Sequence, residues 1–326
     1  MKKVLITGGA GFIGLHLANK FLENGYAVDI ADNFSRGLND RSLQDMIDKN
    51  GGKVNLFTVD LMNPLSIKDL PDDYSYIFHL AAIIGVANVL KQPFEVLRKN
   101  VVLLLNMLEF AKGQKHLERF LFASTSEVYA GTLKYFNMDI PTPETTPLTT
   151  TDLASPRTSY MLSKIYGEAL CNASDLPVTL FRPHNIYGPR MGMAHVIPEL
   201  LKKSYFNTDN KGLEVYSCEH QRTFCYIDDA TEMLLRAAES KKCLGETINL
   251  GNQEPEVSMR TVGEIVLEVT GKNMPIIPLP ATEGSPVRRC PNMKKTNDLT
   301  GYKAKVGLKE GISKTYDWYK KNVFEA

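Results

Sequence analysis

The chain has 326 residues, with 43% hydrophobic and 23% charged side chains and a formal net charge of +1 at pH 7. That length can bury a sizeable core and has room for two domains, while near neutrality removes any global reason to expect a nucleic acid or an anionic membrane as partner. The cysteines, Cys171, Cys218, Cys225, Cys243 and Cys290, are an odd number without Cys-x-x-Cys spacing, and no apolar run has the length of a signal-peptide core or a membrane span, so reduced thiols and a cytoplasmic location are expected.

Val4 to Thr7 is a strand-length apolar run that leads straight into Gly8-Gly9-Ala10-Gly11-Phe12-Ile13-Gly14, after which apolar residues recur at helical intervals to Asn24. Glycines between strand and helix permit a tight turn, let backbone amides approach a pyrophosphate and allow close helix packing, while the helix N-terminus favours the anion. Gly8, Gly11, Phe12, Ile13 and Gly14 are therefore candidate cofactor contacts. A second strand, Ala27 to Ala31, ends at Asp32-Asn33, and Asp32 lies 18 residues beyond Gly14. A carboxylate at that distance accepts from both ribose hydroxyls and repels a 2′-phosphate, so NAD is expected rather than NADP, with Arg36 the one nearby guanidinium that argues the other way.

Strand-like runs continue at Val54 to Val59, Tyr76 to Leu80 and Phe120 to Ser124, and helical periodicity marks Pro93 to Lys112 and Tyr160 to Asn172. Buried parallel strands with helical crossovers predict an α/β fold with a doubly wound sheet. Prolines and a threonine-rich patch predict a long loop from Ala130 to Arg157. Beyond Asn185 the pattern turns irregular. The expected division is a Rossmann domain over 1–180, rejoined by a segment near 213–240, and a smaller α/β ligand domain over 181–326.

The fifth strand ends in Thr125-Ser126-Glu127-Val128-Tyr129. At the carboxyl end of a parallel strand these side chains face the ligand crevice, where Thr125 is placed to hydrogen-bond a reacting oxygen and Glu127 to act as acid or base; otherwise Thr125 is a helix N-cap. Tyr160 and Lys164 are four residues apart, one helical turn, so an ammonium close to the phenol is expected to lower its pKa toward working pH. The histidines have no metal-ligand spacing and no metal is expected; His16 reads as a surface helix position.

TGGAGFIG, Asp32-Asn33, VDL at Asp60-Leu61, HLAA at His79 to Ala82, Asn100, TSEVY, YMLSK and RPHNIYGP at Arg182 to Pro189 follow one another in an order that resembles the extended short-chain dehydrogenase/reductase family, in its NAD-dependent nucleotide-sugar epimerase/dehydratase branch. The resemblance implies a catalytic triad of Thr125, Tyr160 and Lys164. It puts Asp60 and Leu61 at the adenine and Leu80, Ala81 and Ala82 along the cofactor groove. Asn185 would lie near the sugar diphosphate, Arg222 would grip the nucleotide, and Arg288 or Arg289 would hold the diphosphate. Departures fall on the substrate side: Ser217 to His220 replaces a Gly-Asp-Gly turn, Asn292 replaces an aspartate, and the Tyr129 to Tyr160 segment is longer.

The resemblance further implies a nucleoside-diphosphate-sugar substrate, oxidised at C4 to a ketone that is then epimerised, dehydrated or decarboxylated. Ser126-Glu127 counts against dehydratases of the dTDP-glucose type, which have Asp-Glu, although those of the GDP-mannose type carry Thr-Ser-Glu. A 4-epimerase is the favoured expectation. UDP-glucuronate decarboxylation comes second, because those enzymes also have Ser-Glu and an arginine at the place of Arg289. A homodimer is expected, since the helices over 93–112 and 160–172 match the pair that forms an intersubunit bundle in relatives.

Overall fold

The computed structural model describes residues 1–209, 211–281 and 284–325. The chain alternates through β1 (Lys3–Thr7), α1 (Phe12–Glu23), β2 (Ala27–Asp32), α2 (Arg41–Lys49), β3 (Val54–Thr58), α3 (Pro64–Ile67), β4 (Tyr76–His79), α4 (Val86–Lys91), α5 (Pro93–Lys112) and β5 (Arg119–Ala123). A 3-10 turn (Ser126–Tyr129) and α6 (Ala130–Tyr135) open the predicted long loop, and α7 (Thr158–Asn172) closes it. Next come β6 (Val178–Pro183), β7 (Ile186–Tyr187), α8 (Val196–Phe206), β8 (Leu213–Tyr216), β9 (Gln221–Arg222), β10 (Cys225–Tyr226), α9 (Ile227–Glu239) and β11 (Thr247–Leu250). The last part holds β12 (Val257–Ser258), α10 (Met259–Thr270), β13 (Ile276–Leu279), β14 (Arg288–Arg289), α11 (Lys294–Thr300) and α12 (Leu308–Tyr319).

Seven strands make one sheet in the order β11-β6-β5-β4-β1-β2-β3, with every pairing parallel. Side chains alternate across each strand, so the apolar runs feed two cores. Val4, Ile6, Tyr76 and Phe78 join one with Leu17 and Phe21 of α1 and Met233 and Leu234 of α9. Leu5, Ile77, Phe120 and Phe122 join the other with Leu104 and Met107 of α5 and Cys171 of α7. Each such aliphatic or aromatic side chain contributes about 1.5–3 kcal/mol on burial.

Strand order reverses beside β1, which pairs β2 on one side and β4 on the other, and a crevice forms there beyond the carboxyl ends. β6 and β11 carry polar residues that hide them from apolar patterning. The Thr179 hydroxyl donates to the Cys243 carbonyl at 2.5 Å and accepts from Arg119 at 2.8 Å, so its burial costs little. Outside the large sheet, β9 pairs antiparallel with β12 and parallel with β14, and β8 pairs with β13. Among the described residues no helix is long and apolar enough to cross a membrane.

Candidate active site

A cavity of ≈ 990 Å³ follows the carboxyl ends of β1, β2, β4 and β5 and reaches the start of α8. At one end it is lined by Gly8, Gly11, Phe12, Ile13 and Gly14. Gly8 has φ +71°, and a Cβ there would stand 2.9 Å from the Ala81 nitrogen; a Cβ on Gly14 would meet the Gly8 carbonyl oxygen at 2.5 Å. No other residue type fits this turn, and the first-turn amides of α1 lack intrahelical acceptors. The Asp32 carboxylate accepts Ala10 N–H at 3.1 Å on one oxygen and Phe34 N–H at 2.8 Å on the other. Each oxygen keeps a further lone pair for a ligand hydroxyl. Burial raises the Asp32 pKa, and these two backbone bonds oppose that rise.

Asn33, Asp60, Leu61, Leu80, Ala81 and Ala82 also line the cavity. A side-chain-free turn against helix amides, a carboxylate with spare acceptor positions and an apolar strip suit the pyrophosphate, ribose and rings of a dinucleotide. Asn100 stands behind the cavity wall, its Oδ1 accepting Ile83 N–H at 2.7 Å and its Nδ2 donating to the Ile83 carbonyl at 3.0 Å and to Ser163 Oγ at 3.3 Å. The cation that acts on Asp32 is Arg190, whereas Arg36 acts on Tyr160 and His195.

At the other end of the crevice Thr125 caps the 3-10 turn, its Oγ1 accepting Glu127 N–H at 3.3 Å. The same side chain lines the cavity beside Tyr160 and lowers its pKa, so the cap and the ligand-facing position coincide. Lys164 is buried one turn along α7; its Nζ donates to the Ala123 carbonyl at 2.7 Å and lies 5.9 Å from the centre of the Tyr160 ring. Burial pushes the Lys164 ammonium down to about 8, with Cys171 and Glu168 opposing. The phenol departs from expectation: burial first and the Glu127 charge second raise the Tyr160 pKa, while the Thr125 hydroxyl and Arg36 oppose. Lys164 faces the ring and the Ala123 carbonyl rather than the hydroxyl, so in the protein alone it does not offset that burial.

Beneath these groups runs a buried polar network. Ser124 Oγ donates to Glu168 at 2.5 Å, Arg182 donates to both Glu168 oxygens at 2.9 and 2.6 Å and to the Tyr129 hydroxyl at 2.8 Å, and Tyr129 donates to Asn249 at 3.0 Å. The network fixes the turn that carries Thr125 and Glu127 from below. Glu168→Gln strands the Arg182 charge in the interior and is expected to cost about 3–5 kcal/mol. Chemical denaturation of the purified variant checks this; a loss below about 1 kcal/mol, the size of a surface pair, would dismiss it.

On the substrate side, Asn185 lines the cavity with φ +44° and donates to the Thr223 carbonyl at 2.8 Å. Alternation along β14 resolves the two neighbouring arginines: Arg289 lines the cavity, while Arg288 turns outward and pairs with Glu256 at 2.7 and 2.6 Å. Arg222 is not among the lining residues. Its guanidinium donates to the Gln221, Val287 and Pro286 carbonyls and to Ser285 Oγ at 2.5–3.2 Å, bracing the backbone around β14. His195, Arg98, Lys99 and Arg190 line the cavity too, and no motif reading had singled them out. Only Arg190 carried a signal, directly after Gly188-Pro189. His16 is not a free surface position, because its Nε2 lies 3.0 Å from the Pro189 carbonyl.

Comparison with known proteins bears on what such a crevice binds. The profile described as "NAD dependent epimerase/dehydratase family" matches residues 4–251. The UDP-N-acetyl-alpha-D-glucosaminuronate decarboxylase of Bacillus cytotoxicus is 32% identical over 98% of this chain and 98% of its own length. UDP-glucuronic acid decarboxylase 1 of Xenopus tropicalis is 30% identical over 99% of this chain and 73% of its own. The crystal structure of UDP-glucose 4-epimerase from Thermotoga maritima superposes with a TM-score of 0.82 at 27% identity, covering 98% of this chain and 99% of that one. With the profile spanning most of the chain and the glycine turn, Asp32 and the parallel sheet in agreement with it, the chain belongs to the NAD-dependent epimerase/dehydratase family and takes NAD as cofactor.

Proposed function

We propose that this enzyme decarboxylates a UDP-linked hexuronate by oxidising C4, with 4-epimerisation of a UDP-sugar as the second reading. The observation that carries the choice is the Glu127 carboxylate on the cavity wall, within electrostatic reach of both Tyr160 and Arg289. Removal and return of hydride at C4 needs only a proton-transfer group and a partner for the hydroxyl. An additional carboxylate and guanidinium at the same end suit a substrate that carries an anionic C6 and needs a proton once it has lost it. The decarboxylases that align over 98–99% of the chain support this order, whereas the sequence alone favoured epimerisation. The second reading rests on the likeness to the Thermotoga maritima 4-epimerase.

When bound, NAD supplies a reversible hydride acceptor at the sugar carbon. Tyr160, as phenolate, takes the C4 hydroxyl proton and later returns it, and Thr125 holds the same oxygen. Lys164, fixed on the Ala123 carbonyl one helical turn from Tyr160, would lower the cost of the phenolate only by turning its ammonium toward the phenol oxygen once NAD and substrate are bound. In the 4-keto sugar the C6 carboxylate is β to the ketone, so the C5–C6 bond breaks, CO₂ leaves and the electron pair passes into a C4–C5 enolate. Glu127, exposed to solvent and recharged from it, delivers the proton to C5. Arg289 and Asn185 hold the anionic substrate, while the glycine turn, Asp32, Asn33, Asp60, Leu61 and Leu80 to Ala82 hold NAD. Residues 1–180 are on this reading chiefly the cofactor unit and 181–326 chiefly the sugar-nucleotide unit.

The test is a mass analysis of products from UDP-glucose, UDP-glucuronate and UDP-N-acetylglucosaminuronate. Loss of CO₂ from a uronate is expected, and turnover with unchanged mass would transfer the assignment to epimerase. We also propose a homodimer through α5 and α7, which pack together on one face of the sheet and leave Phe94, Leu105 and Tyr166 exposed at 71%, 41% and 50%. Leu105→Glu puts a charge on that face and is expected to convert a dimer to a monomer by light scattering; a monomeric wild type at micromolar concentration would refute the interface.

A further inference from the structure

We propose that Asp40 and Arg190 form a latch that fastens the loop over the NAD ribose to the loop on the substrate side, so that NAD stays bound through turnover. Arg190 has φ +67° and a side chain only 2% exposed. All five of its N–H donors are used. Nε and Nη2 hold the Asp40 carboxylate at 2.7 and 3.1 Å, Nη2 also holds the Leu38 carbonyl at 2.8 Å, and Nη1 holds the Ala10 and Gly11 carbonyls at 2.9 and 3.1 Å. One side chain thus ties the glycine turn and the segment after β2 to the segment after β7.

The two tied segments are the ones a bound dinucleotide and its sugar partner must pass. The segment after β2 lies directly on Asp32, since a Cβ on Gly37 would stand 2.8 Å from both carboxylate oxygens. The segment after β7 lines the substrate half through Met191, Gly192 and His195, and its Pro189 carbonyl is also held by His16 at 3.0 Å. An ion pair with a buried Arg190 and an Asp40 that is 30% exposed is a poor way to gain stability alone, because desolvation of the guanidinium offsets the attraction. It is a good way to impose one geometry, because the planar guanidinium fork admits few arrangements. The segment over Asp32 therefore cannot lift without stranding Arg190, and a reaction in which hydride returns to the same sugar requires a cofactor that does not leave. The inference rests on the reading of Asp32 as the ribose ligand and on a reaction with no net redox change.

Asp40 also caps α2, accepting Leu43 N–H at 3.1 Å. Asparagine caps as well as aspartate, so Asp40→Asn removes the charge of the latch and keeps the helix start. Arg190→Lys keeps the charge and removes the fork. NAD dissociation from purified wild type and both variants, followed by calorimetry and stopped-flow fluorescence, is expected to quicken roughly tenfold or more in each variant. Tm should stay near wild type for Asp40→Asn, and excess NAD should restore its turnover, which a collapsed fold would not allow. Unchanged NAD dissociation in both variants, or faster loss only in step with a falling Tm, would overturn the latch. If wild type turned over none of the UDP-sugars yet Asp40→Asn still released NAD faster, the latch would stand and the decarboxylase reading would fail.

Discussion

Tyr160→Phe is expected to fold and to bind NAD like the wild type while turnover falls by roughly 10²–10⁴. The phenyl ring keeps the packing, and Lys164 stays anchored because its bond goes to the Ala123 carbonyl and not to the phenol. Thr125 keeps its bond to Glu127 N–H, so the turn that carries both residues is preserved. What disappears is the phenol hydroxyl, the group proposed to take the C4 hydroxyl proton. Single-turnover measurements with saturating NAD separate this loss from weakened binding. Near wild-type rates in that experiment would remove Tyr160 from the chemistry.

Glu127→Gln separates the two readings of function, and its sign differs between them. Glu127 is exposed and its carboxylate raises the Tyr160 pKa. The amide keeps the size and removes the charge, so the phenol should ionise more easily and the rise of C4 oxidation with pH should move to lower pH. An epimerase would then keep or gain activity near neutrality. A decarboxylase would lose the proton donor for C5 and fall by about 10²–10⁴. Bound NADH should accumulate in the decarboxylase case, because oxidation proceeds and the later step stalls. Full activity without NADH accumulation would defeat the proposed role of Glu127.

The sheet was legible because its central strands are buried on both faces and read as near-continuous apolar runs, as in Val4 to Ile6 and Tyr76 to Phe78. β6 and β11 escaped because Thr179, Arg182 and Asn249 interrupt the pattern, and their buried partners are distant in sequence. That Thr125, Glu127, Tyr160 and Lys164 line one cavity was legible through local spacing after a strand and along one helical face. Their protonation was not, since the balance of burial against Glu127, Thr125 and Arg36 is set by the folded cavity. The arginines of the second half show the same limit. Arg222 spends its donors on the Gln221, Pro286 and Val287 carbonyls and the Ser285 hydroxyl, and the orientation of Arg288 against Arg289 follows only once β14 is known to pair with β9. Arg190 lies in a loop without periodicity, and its place directly after Gly188-Pro189 marks the position without announcing a fully used guanidinium.

The turn after β5 divides its residues into two kinds. Ser126, Val128 and Tyr129 are buried, and the hydroxyl of Tyr129 is bound into the Arg182 and Glu168 network, whereas Glu127 alone of that turn reaches solvent. Mutation at 127 therefore meets almost no structural constraint, while mutation at its neighbours meets a severe one. On the proposed reading, a descendant of this scaffold can explore new fates for an oxidised sugar by drifting at that single exposed position of the turn, while the residues proposed to perform the oxidation are inherited intact.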